Sequence, residues 1–225
     1  FAWTREEAER AAAWSGAASE VATSLHEVVG HGSGQADPAL GTSASAALRE
    51  YYSTIEETRA DLVALYFVPH PKLAELGIVE AGHQAEIACA EYEAFARNAL
   101  VQLRRVREGS HLEEDHMRNR QLIVRWLMTH THAVQERWRD GKTFYVVADV
   151  HGFHDGVGRL LAEVQRIKSQ GDFAAARALV TTYGTHFDPA LRDEIVARVQ
   201  RVDLPSYTGF VMPALEPVHG PDGRI

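Results

Sequence analysis

The chain has 225 residues, 45% hydrophobic and 24% charged, with a formal net charge of −8. That is an ordinary globular composition able to bury a sizeable core, and its negative charge argues against a nucleic-acid partner. A single cysteine, Cys89, excludes an internal disulfide and fits a reducing, cytoplasmic setting. No run of about 18 apolar residues is present, so no membrane partner is expected.

In chain order, Thr4-Arg5-Glu6-Glu7 has the form of a capping box, with Trp3 placed to staple onto Ala8. An Ala-rich helix is predicted from there toward His31, ended by Gly32-Ser33-Gly34. A loop over 35–43 leads to a second helix over 43–67, which Pro69 and Pro71 stop. A turn of helix at 72–76 precedes a third helix over 79–108, where Ala88, Tyr92, Phe95, Ala99, Leu103 and Val106 form the apolar stripe. A fourth helix is predicted over 112–138. The segment 143–148 is rich in β-branched and aromatic residues and is the best strand. Further helices are expected over 155–169, 172–183 and 188–202, followed by an extended, proline-containing tail over 205–225. The reading is mainly α with a minor β element, as one domain over 1–225. The opening Phe1-Ala2-Trp3 suggests a piece of a longer protein.

Chemistry concentrates in Leu25-His26-Glu27-Val28-Val29-Gly30-His31. Two histidines at i and i+4 of a helix bind zinc on one face. Here the second comes at i+5, which on a regular helix turns it away by about 140°. A one-residue π-bulge would bring the two back together, and Gly30 sits where its backbone freedom would help. A catalytic zinc takes a third protein ligand and leaves one open position. The second helix offers Glu56-Glu57-Thr58-Arg59-Ala60-Asp61, an acidic group in an apolar stretch that a cation would neutralise. His26, His31 and Glu57 are therefore the candidate ligands of one zinc ion per chain. Glu27 is the candidate general base. Glu56 and Asp61 are placed to accept the remaining ring N–H groups.

These two motifs together resemble the dipeptidyl peptidase III family of zinc exopeptidases, which has H-E-x-x-G-H followed by E-E-C-R-A-E or a near variant. Gly32-Ser33-Gly34 also matches, and Asp115-His116-Met117-Arg118-Asn119-Arg120 looks like the family's A-H-M-x-x-R helix. Segments 165–172 and 209–213 look like bacterial members. The resemblance implies a helical catalytic lobe that releases dipeptides from the N-termini of short peptides. It implies Glu57 as the third ligand, and Glu56 and Asp61 as orienters of the histidines. His116 would assist substrate and transition-state binding, with Arg120 on the same helix face as a substrate-binding residue. Three positions depart from the family pattern: Thr58 for Cys, Asp61 for Glu, and Asp115 for Ala. Family members are two-lobed and several times longer, so the resemblance implies a missing second lobe that supplies much of the peptide-binding surface. Without the family, His116 reads as a surface histidine. His130, His132, His151 and His154 read as structural or loop residues, and Arg104, Arg105 and Arg107 as a solvated helix face.

Overall fold

The computed structural model describes residues 1–202. The tail expected over 205–225 lies outside the described residues. Helix α1, Arg5–Ser24, starts as predicted: Thr4 Oγ1 accepts from Glu7 N at 3.1 Å and Glu7 returns by accepting from Trp3 N at 2.7 Å. Trp3 does not staple onto Ala8. Its ring packs edge-on against Phe144, 5.3 Å between centroids, because the β hairpin offers an aromatic surface and Ala8 is exposed.

The second predicted helix is divided. Short α2, Ala44–Leu48, is capped by Ser43, and α3, Tyr52–Phe67, follows a 3₁₀ turn at Arg49–Tyr51. Arg49 makes the break at φ 52°, a left-handed conformation that ends the first segment. A single turn, α4, covers Lys72–Glu75. The third predicted helix is too long at both ends: α5, Gln84–Val101, buries Ala88, Tyr92, Phe95 and Ala99 of the stripe and tightens into a 3₁₀ turn over Gln102–Arg105 that buries Leu103, while Val106 lies beyond it, half-buried in extended backbone.

The fourth predicted helix is too long. Helix α6, Asp115–His130, ends at Thr131, and His132 takes φ 57°. Strand β1, Val134–Arg139, then pairs antiparallel with β2, Lys142–Val147, in a register from Val134↔Val147 to Arg139↔Lys142. Asp140 and Gly141 close the hairpin at φ 52° and 65°, the two positive values of a type I′ turn. Only Val134 of β1 is buried, so the strand carries no alternating apolar signal.

Helix α7, Val150–Gln170, begins five residues earlier than predicted, capped by Asp149 accepting from Gly152 N at 2.9 Å. Its glycines serve close packing. A Cβ on Gly156 would meet Leu127 Cδ2 at 2.5 Å, and one on Gly158 would meet Tyr66 Cε2 at 3.0 Å. Helix α8, Phe173–Leu179, runs into a π turn at Val180–Gly184, and α9, Pro189–Arg201, closes the described chain. The architecture is a helical body with one two-stranded sheet. Its core packs α3 at the centre, against α6 on one side and α7 on another, with Leu62, Leu65, Leu122, Phe153 and Leu160 fully buried. None of the described helices is long and apolar enough to cross a membrane.

Candidate metal centre

Helix α1 leads directly into a π turn over Leu25–Gly30, in which His31 N donates to His26 O at 2.9 Å. The wider turn absorbs the extra residue and brings His31 back over His26. Their Nε2 atoms lie 3.1 Å apart, with the rings edge-to-face. Gly30 has an unexceptional φ, so backbone freedom is not the reason for it. It is needed for close approach: a Cβ there would meet Cα and Cβ of Ala60 on α3, both at 2.9 Å.

That approach presses α3 and its Glu57 against the histidine pair. Glu57 Oε2 lies 3.3 Å from His26 Nε2 and 3.7 Å from His31 Nε2. A tetrahedral ion with metal–donor bonds of about 2.0–2.1 Å separates its donors by about 3.3 Å. The three observed separations bracket that value, and the three residues form the one potential metal-holding group among the described residues. Glu57 Oε2 is buried and accepts no hydrogen bond among the described residues. A buried carboxylate oxygen with histidine ring nitrogens around it, yet no hydrogen bond from any of them, fits a divalent cation.

The surrounding residues orient these donors. Asp61 Oδ1 lies 2.7 Å from His26 Nδ1, so the shorter side chain still reaches, leaving Nε2 as the free donor atom. That hydrogen bond outweighs burial and raises the His26 pKa above its ordinary value. Glu56 Oε1 lies 3.4 Å from His31 Nδ1. Burial pushes the Glu56 pKa up, but hydrogen bonds from Arg59 and Lys168 bring it down to about 2. Arg59, fully buried, donates to both Glu56 oxygens, to Ser33 Oγ at 3.2 Å and to Gly30 O at the end of the π turn. Lys168 of α7 reaches Glu56 Oε2 at 2.6 Å. Thr58, where the resembling family has Cys, turns inward and donates to Thr54 O at 2.6 Å.

His116 sits at the start of α6 with Nδ1 3.4 Å from Glu57 Oε2. Asp115 holds that end of α6 to α3 through Thr54 Oγ1, so the replacement of Ala gives the neighbouring histidine an anchor. A cavity of about 250 Å³ opens beside the triad, bordered by His26, Glu27, Asp61, Glu91, His116 and Arg120. Glu27 is exposed on the π turn at its edge. Burial and the neighbouring Asp61 push the Glu91 carboxyl up to about 7.

The other described histidines are elsewhere. His130 Nε2 meets the Tyr183 hydroxyl at 2.9 Å, His83 packs at a tilt against Trp14, and His111 bridges to His186. His151 and His154 lie on α7, not in a loop. They border a separate, mainly apolar cavity of about 380 Å³ with Tyr66 and Tyr92. The residues that sequence reasoning missed are Arg59, Lys168, Asp115 and Glu91. Arg59 stands inside the second motif, whereas Lys168 and Glu91 carry no local signal.

The model of Peptidase family M49 matches residues 39–202. Dipeptidyl peptidase 3 of Homo sapiens is 25% identical over 228 residues, covering 82% of this chain and 31% of that protein. The Mus musculus protein is 24% identical over the same shares. Among solved structures, DPP III from Caldithrix abyssi is similar with a TM-score of 0.60 and 25% identity, over 80% of this chain and 32% of that one. Dipeptidyl-peptidase III from Corallococcus sp. strain EGB gives a TM-score of 0.60 at 21% identity, over 80% and 31%. The chain thus spans about a third of the length of the relatives it matches.

Proposed function

From the premise that this chain belongs to peptidase family M49, we propose that it is the metal-binding part of a zinc-dependent dipeptidyl peptidase, one that releases dipeptides from the N-termini of short peptides. The observation that carries this reading is the buried, unpartnered Glu57 Oε2 facing His26 Nε2 and His31 Nε2 within 3.7 Å. His26, His31 and Glu57 would hold one zinc ion. When bound, zinc supplies Lewis acidity at the scissile carbonyl and lowers the pKa of water toward about 7.

The remaining work falls to the chain's own groups. The Glu27 carboxylate takes the proton of the attacking water and returns it to the departing amine. Its exposed position beside the cavity suits that exchange. His116 offers a ring N–H toward the carbonyl oxygen as charge develops there. Asp61 and Glu56 keep the two ligand rings turned to present Nε2. Residues 1–225 would act as one helical catalytic domain. The second lobe, which would anchor the substrate amino terminus, would be a separate part of a longer enzyme.

The coverage of only 31% of the human relative favours a second reading for the isolated chain: a zinc-stabilised module that binds metal and turns over little. A zinc hydrolase of other specificity is separated from both by the products. Elemental analysis should find one zinc per chain, and Glu27→Gln should retain it while losing hydrolysis. Glu57→Gln should lose the metal. Dipeptide release from a tetrapeptide, abolished by N-acetylation, identifies the exopeptidase. Cleavage of the acetylated peptide would reject that specificity. The chain alone should cleave far more slowly than a two-lobed enzyme containing it; a comparable kcat/KM would refute the need for the second lobe.

A further inference from the structure

Arg105 and Arg107 are exposed as expected, whereas Arg104 is half-buried; of the three, Arg104 and Arg105 concern one recess. They sit in the 3₁₀ turn that continues α5, where they border a small cavity of about 190 Å³ together with Asn98, Gln102 and Arg120. This cavity shares Asn98 and Arg120 with the one beside the metal triad, so the two adjoin at these side chains. Three arginines therefore border one recess in a chain of net charge −8. Arg10, Arg59, Arg97, Arg118 and Arg198 all pair with carboxylates. Arg104, Arg105 and Arg120 make no ion pair among the described residues, as is also true of exposed arginines such as Arg49, Arg107 and Arg159, but these three meet at one recess.

The recess is also pre-arranged. Arg120 Nη1 donates to Gln102 Oε1 at 3.1 Å, and Gln102 Nε2 donates to Met117 O at 3.0 Å, fixing the Arg120 fork at the junction of the two cavities. Arg104 Nη1 is buried and has no acceptor among the described residues. A buried N–H left without an acceptor is costly, as is gathering like charges. One anion relieves both, and the planar guanidinium matches a carboxylate.

Arg120 lines both cavities, and its distance from the triad says which carboxylate. His116, beside Glu57, and Arg120 are one turn apart on α6, roughly 6 Å along its axis. That is the span of about two residues of extended peptide. We propose that Arg104, Arg105 and Arg120 seat the C-terminal carboxylate of a tri- or tetrapeptide whose scissile bond lies over His26, His31 and Glu57. This rests on the peptidase reading above and adds to it a preference for very short peptides with a free C-terminus.

The test compares tetra-alanine with its C-terminal amide on the zinc-loaded protein, measuring affinity and dipeptide release separately. The acid should bind about tenfold more tightly or better, as a charge-assisted pair implies. Arg104→Gln should close that gap while leaving zinc content and affinity for the amide unchanged. Arg105→Gln provides the same reading should Arg104→Gln fail to fold. Equal affinities in the unaltered protein overturn the carboxylate seat, whatever hydrolysis does. So does a gap that survives both substitutions. A gap that closes as expected, with no dipeptide released from either peptide, upholds the seat and rejects the peptidase reading alone.

Discussion

Asp61 Oδ1 and His26 Nδ1 stand 2.7 Å apart across two helices, and this contact decides which nitrogen of His26 faces Glu57. With Nδ1–H committed to the carboxylate, Nε2 keeps its lone pair for a cation. Asp61→Asn weakens that commitment, because an amide is a poorer acceptor and can present its NH₂ instead. Zinc affinity should fall by about 10–100-fold, measured by competition with a chromophoric chelator. An unchanged affinity would remove Asp61 from the account of the site.

Gly30→Ala places a methyl group 2.9 Å from both Cα and Cβ of Ala60. The backbone of α3 cannot yield as a flexible side chain would. The substitution should cost about 1–3 kcal/mol, in line with overpacking elsewhere, read from denaturant unfolding. Adding Ala60→Gly should recover only part of the loss, since the Ala60 Cα remains. Full recovery would mean that the methyl–methyl contact alone sets the spacing.

Arg59→Met removes the buried cation that joins Gly30 O, Ser33 and Glu56. Glu56 would be left with Lys168 as its remaining cation. Breaking such a pair from one side costs about 3–5 kcal/mol. Zinc affinity should drop with stability, because Glu56 and the π turn lose their shared anchor. The double change Arg59→Met with Glu56→Gln should be less harmful than Arg59→Met alone, measured as unfolding free energy at neutral pH.

Glu91 titrates at about 7 in the folded chain against an ordinary 4.5, through burial and then the charge on Asp61. A carboxyl with a raised folded pKa binds more protons when folded, so its stability contribution falls as pH rises from about 4.5 to about 7. Glu91→Gln should therefore stabilise the metal-stripped protein at pH 8 and change little at pH 4. The gain should be on the order of 1–2 kcal/mol, reduced by the water in the adjoining cavity. Melting temperatures of both proteins across that range check it; a gain that is the same at both ends would contradict the assignment.

How much of this was legible follows from how local each signal is. The five-residue spacing of His26 and His31 called for a π turn, and the π turn is there. The Thr4 cap was readable for the same reason, and the second motif placed Glu56 and Asp61 as acceptors for the ring N–H groups without saying which acid serves which histidine. The β1 strand was not readable, because its burial is confined to Val134 and its polar residues continue a helical pattern. Asp140-Gly141 was the available hint of the hairpin. Gly156 and Gly158 look like loop punctuation until Leu127 and Tyr66 are seen against them. Lys168 reaches Glu56 from more than a hundred residues away, and no window of sequence connects them.

The π turn resolves a conflict of angular phase within one helix. His26 and His31 must point in one direction, and Gly30 must present its bare face to Ala60. In a regular helix a four-residue step would align the histidines, but shortening the segment by one valine would also swing Gly30 by about 100°. The bulge works as a vernier, separating the phase that pairs the histidines from the phase that serves packing. A deletion at Val28 or Val29 would turn the motif into the common H-E-x-x-H spacing and still lose the site. The seating of Gly30 against Ala60 on α3, which brings Glu57 to the two histidines, would no longer be in register.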